Sequence, residues 1–283
     1  MEHTWKNKLL GSGLAVLAAI VFSPAVTLAA EEAEPNEEAV TLAKKAQNPL
    51  EDMISLPFQN NIYFKAGSKD ATINTLDIMP VIPFKLNEEW NLITRTIIPI
   101  TNQPSLFPGM DSAAGFGDIN PTFFFSPVTK PGEWIWGVGP TFTLPTHTDD
   151  ELGTDRWSAG PAVVLLTMQG HWVVGALANN QWSFAGPGNK PDHSKVNQLL
   201  VQPFANYNLP KGWYICSSPI ITADWEADSG QKWTVPLGGG FGRLVKIGKM
   251  PVNFQLQAFS NVVHPDYGPD WSLRFQIQLL FPK

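Results

Sequence analysis

The feature that most constrains the fold is a set of short segments in which apolar and polar residues alternate. In residues 271–281 every odd-numbered position is apolar, while positions 272, 274, 276 and 278 are Ser, Arg, Gln and Gln. A period of two predicts β-strands with one apolar and one polar face. Residues 252–258 and 198–209 repeat the pattern with polar faces of Gln and Asn. Such faces suit a hydrated lumen better than a solvent surface rich in Lys and Glu.

Twelve segments of about ten to fourteen residues can be read in this way, each separated from the next by turn residues. They are 56–66, 74–84, 90–100, 117–127, 134–146, 157–168, 172–185, 196–209, 213–225, 232–247, 251–264 and 270–281. An even count is what a closed up-and-down bacterial barrel requires. The predicted fold is therefore all-β, a transmembrane antiparallel up-and-down β-barrel of about twelve strands.

The connections between the segments alternate in length, as the short periplasmic turns and longer outer loops of such barrels do. The short ones are 85–89, 128–133, 169–171, 210–212 and 248–250. The others are mostly longer and more polar: 67–73, 101–115, 147–156, 186–195, 226–231 and 265–268. A soluble β-sandwich gives no reason for this regularity.

Tryptophan placement gives an independent indication. Most of the eleven Trp residues stand at or next to a segment end: Trp90, Trp134, Trp157, Trp172, Trp182, Trp213, Trp225, Trp233 and Trp271. Indole rings prefer the membrane–water interface, so this placement predicts aromatic girdles, with core tryptophans of a soluble barrel as the alternative. Charged residues are only 16% of the chain, against ~25% in typical soluble domains.

The N-terminus has the organisation of a secretory signal peptide. Lys6 and Lys8 precede an apolar run at 9–26, and Ala29 and Ala30 offer small residues for cleavage. We predict a signal peptide over residues 1–30 and export by the Sec pathway, with an uncleaved anchor as the alternative. Residues 31–55 are predicted to be a periplasmic segment, partly disordered or forming a short helix, or entering the barrel. The barrel itself is expected over residues 56–283.

Charge and cysteine usage exclude several classes. The net charge of −6 gives no support to nucleic-acid binding. Cys216 is the one cysteine, so the chain can form neither an internal disulfide nor a thiolate metal cluster. The sequence contains no cofactor motif, and no cofactor is predicted.

The residues that parity places in the lumen are the candidate site. Selectivity of a channel comes from charges that line it, and Arg95, Arg274, Asp118 and Asp224 are the candidates, followed by Arg243. Polar neighbours on the same faces complete the set: Asn120, Gln198, Gln202, Gln255, Gln257, Gln276 and Gln278. These charges either select permeating molecules or pair with one another and plug a narrow barrel; both alternatives stay open. Large Phe and Leu side chains are not expected to line the lumen.

An outer-membrane enzyme is the rival class. A hydrolase needs a Ser or Asp nucleophile partnered by His, and the chain has no G-x-S-x-G motif. His147 with the acidic residues 149–151 has donor atoms for a divalent cation, but acidic loops are usually just solvated. Neither catalytic nor metal-binding residues are predicted.

Several long segments resemble a widespread proteobacterial family. They are LAKKAQNPLEDMISLPFQNN, PFKLNEEWNLITRTIIPI, GFGDINPTFFFSP, IWGVGPTFTLPT, NNQWSFAG, QPFANYNLPKGWY, SSPIITADWEADSGQKWTVPLGGGFGR and PDWSLRFQIQLLFPK. The family is described as outer-membrane transporters, is grouped with outer-membrane proteins of meta-pathway phenol degradation and is sometimes mislabelled neuromedin U. The resemblance covers about residues 42–283. It implies an outer-membrane barrel that passes small molecules, hydrophobic or aromatic ones among them, and it carries over no site residues.

The C-terminal segment WSLRFQIQLLFPK resembles the signal that the barrel-insertion machinery recognises, although Pro282 and Lys283 follow the terminal aromatic Phe281. We therefore expect an outer-membrane channel or transporter of a Gram-negative bacterium, with membrane lipid, the insertion machinery and an unidentified small molecule as partners. A non-conducting structural or surface-binding barrel is the alternative, and a lipid-modifying barrel enzyme is the weaker one.

Overall fold

The structure is a computed structural model that describes residues 37–130, 132–186 and 195–282. The predicted signal peptide and the first residues of the following acidic segment lie outside the described residues, as does most of the predicted loop 186–195. Within the described residues no helix is both long enough and apolar enough to cross a membrane.

One α-helix and fifteen strands make up the regular structure of the described residues. The helix is α1 (Glu37–Ala46). The strands are β1 (Ile54–Ala66), β2 (Ala71–Ile78), β3 (Val81–Lys85), β4 (Trp90–Gln103), β5 (Ala113–Phe116), β6 (Asn120–Pro127), β7 (Ile135–Thr143), β8 (Trp157–Gln169), β9 (Trp172–Ala185), β10 (Asn197–Asn208), β11 (Trp213–Ser217), β12 (Ile221–Asp224), β13 (Trp233–Ile247), β14 (Met250–Val263) and β15 (Trp271–Phe281). Two 3₁₀ turns, Asp150–Leu152 and Pro210–Gly212, lie in connections.

All strands belong to one antiparallel sheet that closes on itself when β15 pairs with β1. Three pairs of short strands, β2 with β3, β5 with β6, and β11 with β12, each occupy a single position in the sheet. Fifteen strands therefore form a twelve-stranded barrel. The predicted fold class is confirmed: the protein is a transmembrane, up-and-down, antiparallel β-barrel.

Two of the three breaks coincide with prolines that the sequence places inside predicted strands. Pro80 separates β2 from β3, and Pro219 lies between β11 and β12. Proline has no backbone N–H and cannot donate to the ladder. The backbone partly compensates, because Pro80 accepts a bond from the N–H of Thr96 at 3.1 Å. The strands are interrupted at these positions, and the sheet still closes.

The register fixes which side chains point inward. Across the closing seam Gln59 is opposite Gln276 and Asn61 is opposite Arg274, and these are inward pairs. The alternate positions pair Phe58 with Ile277 and Ile62 with Leu273 on the outside. A polar interior with an apolar exterior inverts the arrangement of a soluble barrel, and it is the arrangement that lipid requires.

Exposed tryptophans form a belt at each end of the barrel. At the end of the short turns the belt contains the exposed Trp134, Trp136, Trp172 and Trp213 together with the half-buried Trp90. At the opposite end it contains Trp157, Trp182, Trp225, Trp233 and Trp271. Edge-to-face contacts join neighbours within each belt, as between Trp90 and Trp136 at 5.9 Å and between Trp225 and Trp233 at 5.5 Å. The two belts mark the two membrane interfaces.

The cost of a lipid-facing charge should depend on its depth between the two belts. Leu256 lies outward in the middle of β14, opposite Phe241 and Phe275, whereas Leu237 lies outward at the level of Trp271. We expect Leu256→Arg to lower the free energy of unfolding by about 2–4 kcal/mol and Leu237→Arg by about 0–1 kcal/mol. Urea unfolding from phospholipid vesicles measures both. Equal losses would contradict the assigned depth.

Candidate functional site

The candidate site is the inward face of the barrel, and most residues predicted from parity lie there. Gln255 and Gln257 on β14 face Gln276 and Arg274 on β15, and Gln278 is opposite Asn253. On the other side of the barrel Gln198 and Gln202 of β10 pair with Gln181 and Leu177 of β9 on the same inward face. Asp224 is opposite Gln198, Arg95 is opposite Thr122, and Asn120 is opposite Ile97.

Arg243 is a correction to the predicted set. It lies on the outward face of β13, opposite Phe254 and Trp213. Its guanidinium stands over the Trp213 ring, 5.0 Å from the centroid, close to the membrane interface. Arginine tolerates such a position because its charged group can reach the interface while its stem stays in apolar surroundings. The sequence contained the signal, since Arg243 shares parity with the apolar Leu237 and Phe241.

Asp118 is a second correction, because it belongs to the loops at the end remote from α1 rather than to the lumen wall. It precedes β6, and its carboxylate accepts bonds from the backbone N–H groups of Thr146 at 3.1 Å and Thr154 at 2.7 Å. The same carboxylate is hydrogen-bonded to Nδ1 of His147 at 2.6 Å. The structure therefore places Asp118 in contacts that hold a loop and not on the lumen wall.

The His147 loop also brings a donor set together. His147, Asp150 and Asp155 each place one ligand atom within 4.8 Å of the others, and Nε2 of His147 lies 3.2 Å from Asp155. The carboxylate of Asp118 on the opposite ring nitrogen orients the imidazole. The spacing is one that a metal ion could bridge, although exposed acidic groups commonly stand this close without one.

An apolar wall inside the barrel was not predicted, and the expectation that large Phe and Leu side chains do not line the lumen is wrong. Strands β4 to β9 place a buried hydrophobic cluster on their inward faces: Ile93, Phe124, Ala162, Val164, Leu166, Val173 and Leu177. The clue was residues 162–166, AVVLL, which are apolar on both strand faces and so show no alternation. One half of the lumen is thus apolar and the other half is polar.

The apolar wall is covered by the segment that precedes β1. Leu50 belongs to the same buried cluster, and its methyl groups lie against Gly137 of β7. A Cβ at Gly137 would be 3.1 Å from both methyl carbons, so glycine provides the room for Leu50. An apolar interior surface of this kind would be costly against water, and residues 47–53 remove part of it from water.

Helix α1 seats this segment in the mouth of the barrel at the end of the short turns. Ala43 is fully buried against Leu244 and Leu280 together with Met53. Gln47 and Asn208 exchange two side-chain amide bonds, at 2.9 and 3.1 Å. The ammonium group of Lys44 donates to the carbonyl of Gly170. We name residues 37–53 the inserted segment; it narrows the lumen through contacts that are all non-covalent.

The polar wall contains a buried network centred on Arg274. Its Nε donates to Asn61 at 3.0 Å, and its Nη1 donates to the carbonyl of Ser218 at 2.8 Å. Asn61 in turn donates to Asp77 at 2.9 Å. The guanidinium also stands 5.0 Å from the centre of the Phe259 ring. These bonds tie β1, β2 and β15 to the β11–β12 break, so Arg274 has a clear structural role.

Between the inserted segment and the barrel wall the structure leaves a cavity of about 170 Å³. Its polar lining comes mainly from β1, β10, β14 and β15, and Arg95 enters it from β4. Leu177 and Phe204 supply apolar lining from β9 and β10. The cavity therefore lies where the two walls meet beneath the inserted segment.

Comparisons with known proteins agree with the fold. An outer membrane channel from Pseudomonas putida F1 is similar, with 15% sequence identity and a TM-score of 0.60, over 81% of this chain and 94% of that one. The NanC porin covers 81% of this chain and 100% of its own, at 10% identity and a TM-score of 0.48. Outer membrane phospholipase A from Escherichia coli covers 85% and 98%, at 14% identity and a TM-score of 0.45.

No protein-family model matches the sequence, and no curated protein does. The closed barrel, its apolar exterior and its aromatic belts define the chain as an outer-membrane β-barrel of a Gram-negative bacterium. Among solved structures it has the fold of an outer-membrane channel.

Seating of α1 should depend on the small, fully buried Ala43. The variant Ala43→Glu places an unpaired carboxylate against Leu244 and Leu280, at a cost of ~2 kcal/mol or more, and should release the helix. Lys44 is the first tryptic site after residue 30, so its cleavage in the detergent-solubilised barrel reports the release. The control is Thr41→Glu on the exposed face of α1. Equal cleavage of both variants would contradict the assigned seating.

Proposed function

We propose that the protein is an outer-membrane channel for small molecules, in which the inserted segment restricts the lumen. The observation that carries this proposal is the cavity of about 170 Å³ between the inserted segment and a wall of Gln and Asn side chains. A lumen arginine such as Arg274 could plug the barrel by bonding across the lumen. The hydrogen bonds of Arg274 instead stay within one part of the wall and do not reach β6–β9. The inserted segment, rather than charge pairing, is the principal restriction.

The two walls suggest the class of molecule that passes. A purely polar lumen suits hydrophilic solutes, whereas here the cluster around Phe124 and Leu166 presents apolar surface on one side. A lumen with one apolar wall and one polar wall suits small molecules that have an apolar or aromatic body and a polar group. The resemblance to transporters associated with phenol degradation supports the same class.

The two ends of the chain would direct the protein to the outer membrane. We propose that residues 1–30 are a signal peptide read by the Sec pathway and that residues 31–55 follow it as a periplasmic segment. Strand β15, with its outward aromatic residues and Phe281 at its end, is proposed as the segment read by the barrel-insertion machinery. Pairing of β15 with β1 is also the step that closes the sheet.

Conductance should depend on the inserted segment. Deleting residues 31–50 removes α1 and Leu50, and we expect single-channel steps in planar bilayers to grow several-fold relative to the full mature chain. Ala43→Glu should open the lumen intermittently, and Thr41→Glu should leave the conductance unchanged. Heat-modifiable gel migration verifies that each variant is a folded barrel. The absence of steps from both the mature chain and the deletion variant would favour the non-conducting structural barrel instead.

A lipid-modifying enzyme is the remaining alternative, and the histidine contacts do not favour it. A serine-type hydrolase needs a base within hydrogen-bond reach of a hydroxyl nucleophile. His147 is held between Asp118 and Asp155, and Nδ1 of His264 is hydrogen-bonded to the carbonyl of Pro265. We expect no fatty-acid release from phospholipid micelles by the purified barrel. Release that is lost in His147→Ala or His264→Ala would establish the enzyme.

A further inference from the structure

Among the described residues, Arg95 differs from the buried Arg274 because its hydrogen-bond partner is weak. Its one hydrogen-bond partner among the described residues is the thioether sulfur of Met79, 3.5 Å from Nη2. A guanidinium has five N–H donors, and a thioether is a weak acceptor. Arg274 on β15, by contrast, bonds to Asn61 and to Ser218. A partly buried cation without acceptors is unfavourable unless something else supplies them.

The nearby acid does not satisfy Arg95. Asp77 interacts electrostatically with both Arg95 and Arg274, so two cations share one carboxylate. The hydrogen bond that Asp77 accepts comes from Asn61 rather than from Arg95. At the cavity itself Lys45 and Glu51 form an ion pair at 3.6 Å, so their charges offset each other. Within the described residues Arg95 is therefore a cation of the cavity lining whose charge is offset only through a carboxylate shared with Arg274.

Two amide side chains that face the same cavity also lack partners. Gln202 and Gln276 line it from β10 and β15, and within the described part of the chain no side-chain hydrogen bond is made by either. Their amides can donate to a bound anion and accept from a hydroxyl. A guanidinium together with amide donors matches the geometry of a carboxylate, which guanidinium binds in a bidentate manner.

Part of the lining is apolar, and the volume is small. Val81, Leu177 and Phe204 line the cavity together with Met79. A protein cavity of ~150 Å³ lined by apolar side chains is large enough for benzene. A volume of about 170 Å³ therefore accommodates one ring or a short alkyl chain together with a carboxylate.

From these observations we propose that the cavity is a binding site for a small monocarboxylate with an apolar body, in which Arg95 holds the carboxylate and Leu177 and Phe204 contact the body. The role of the site rests on the proposed channel function, since the site would select such molecules within the lumen. Binding itself does not depend on that function. A cation with a thioether as its hydrogen-bond partner, two amides without side-chain hydrogen bonds in the described residues, and apolar surface meet in one cavity.

Titration calorimetry on the full mature chain in non-ionic detergent tests the site with benzoate, its neutral isostere benzamide, and acetate. Charge-assisted bonds should make benzoate bind at least about 10-fold more tightly than benzamide. Contact with the apolar lining should make it bind at least about 10-fold more tightly than acetate. If benzamide bound with the same affinity as benzoate, the role of charge would be overturned. If acetate bound with the same affinity as benzoate, the role of the apolar lining would be overturned.

The variant Arg95→Gln should weaken benzoate binding at least about 10-fold and bring it close to benzamide binding. Arg243→Gln is the matched control, because Arg243 lies on the outward face, and it should leave benzoate binding unchanged. Arg95→Lys keeps the charge but not the bidentate geometry, so it should retain a preference for benzoate over benzamide with lower affinity. Gel migration with and without heating shows which variants are folded barrels. Unchanged benzoate binding in either folded Arg95 variant would overturn the assignment.

The binding test and the conductance test have outcomes that can be told apart. A barrel that binds benzoate through Arg95 but passes no current would overturn the channel function and leave the site in place. A barrel that conducts but binds benzoate no better than benzamide would overturn the site and leave the channel in place.

Discussion

Closure of the sheet between β1 and β15 is the constraint on which the rest of the structure depends. In the hydrocarbon region of a membrane no water is present to satisfy a free N–H or C=O, so an open sheet edge is excluded. Eleven register pairs run from Ile54 opposite Phe281 to Phe64 opposite Trp271 and remove that edge. With the ring closed, every strand must present one face to lipid and the other to the lumen. The apolar exterior and the positions of Gln, Asn and Arg in the interior follow from that geometry.

The lumen is asymmetric, and this asymmetry explains the inserted segment. On the β14, β15 and β1 side Gln and Asn line the interior and hydrogen-bond to one another, as Asn253 does to Gln278 at 3.2 Å. On the β4 to β9 side the interior is apolar, and it is that side on which Leu50 packs. A hydrated barrel with such a wall gains free energy by covering it. If the inserted segment leaves, the same surface becomes available to another apolar group. The apolar character of this wall would therefore serve both to hold the inserted segment and to bind a passing molecule.

The charged residues also differ in their surroundings. Arg274 is integrated into the wall, Arg243 reaches the interface beside Trp213, and Asp118 fixes a loop. Arg95 is the exception, with a thioether as its partner and a cavity in front of it. Groups that satisfy one another stabilise the fold, whereas a cation that has only a weak acceptor and faces a cavity is a natural place to look for a ligand.

The sequence by itself determined the barrel, its twelve strands, the tryptophan belts and the inward parity of residues such as Gln255, Gln276 and Arg274. These follow from a period of two and from interface chemistry, which are local properties that a single strand already displays. Only the tertiary structure decided that Asp118 lies in a loop and that an apolar wall is covered by Leu50. The reason is that strands such as β8 are apolar on both faces and carry no parity signal. What covers an interior face, and which cation faces a cavity, depends on segments far apart in the chain that meet only when the barrel closes.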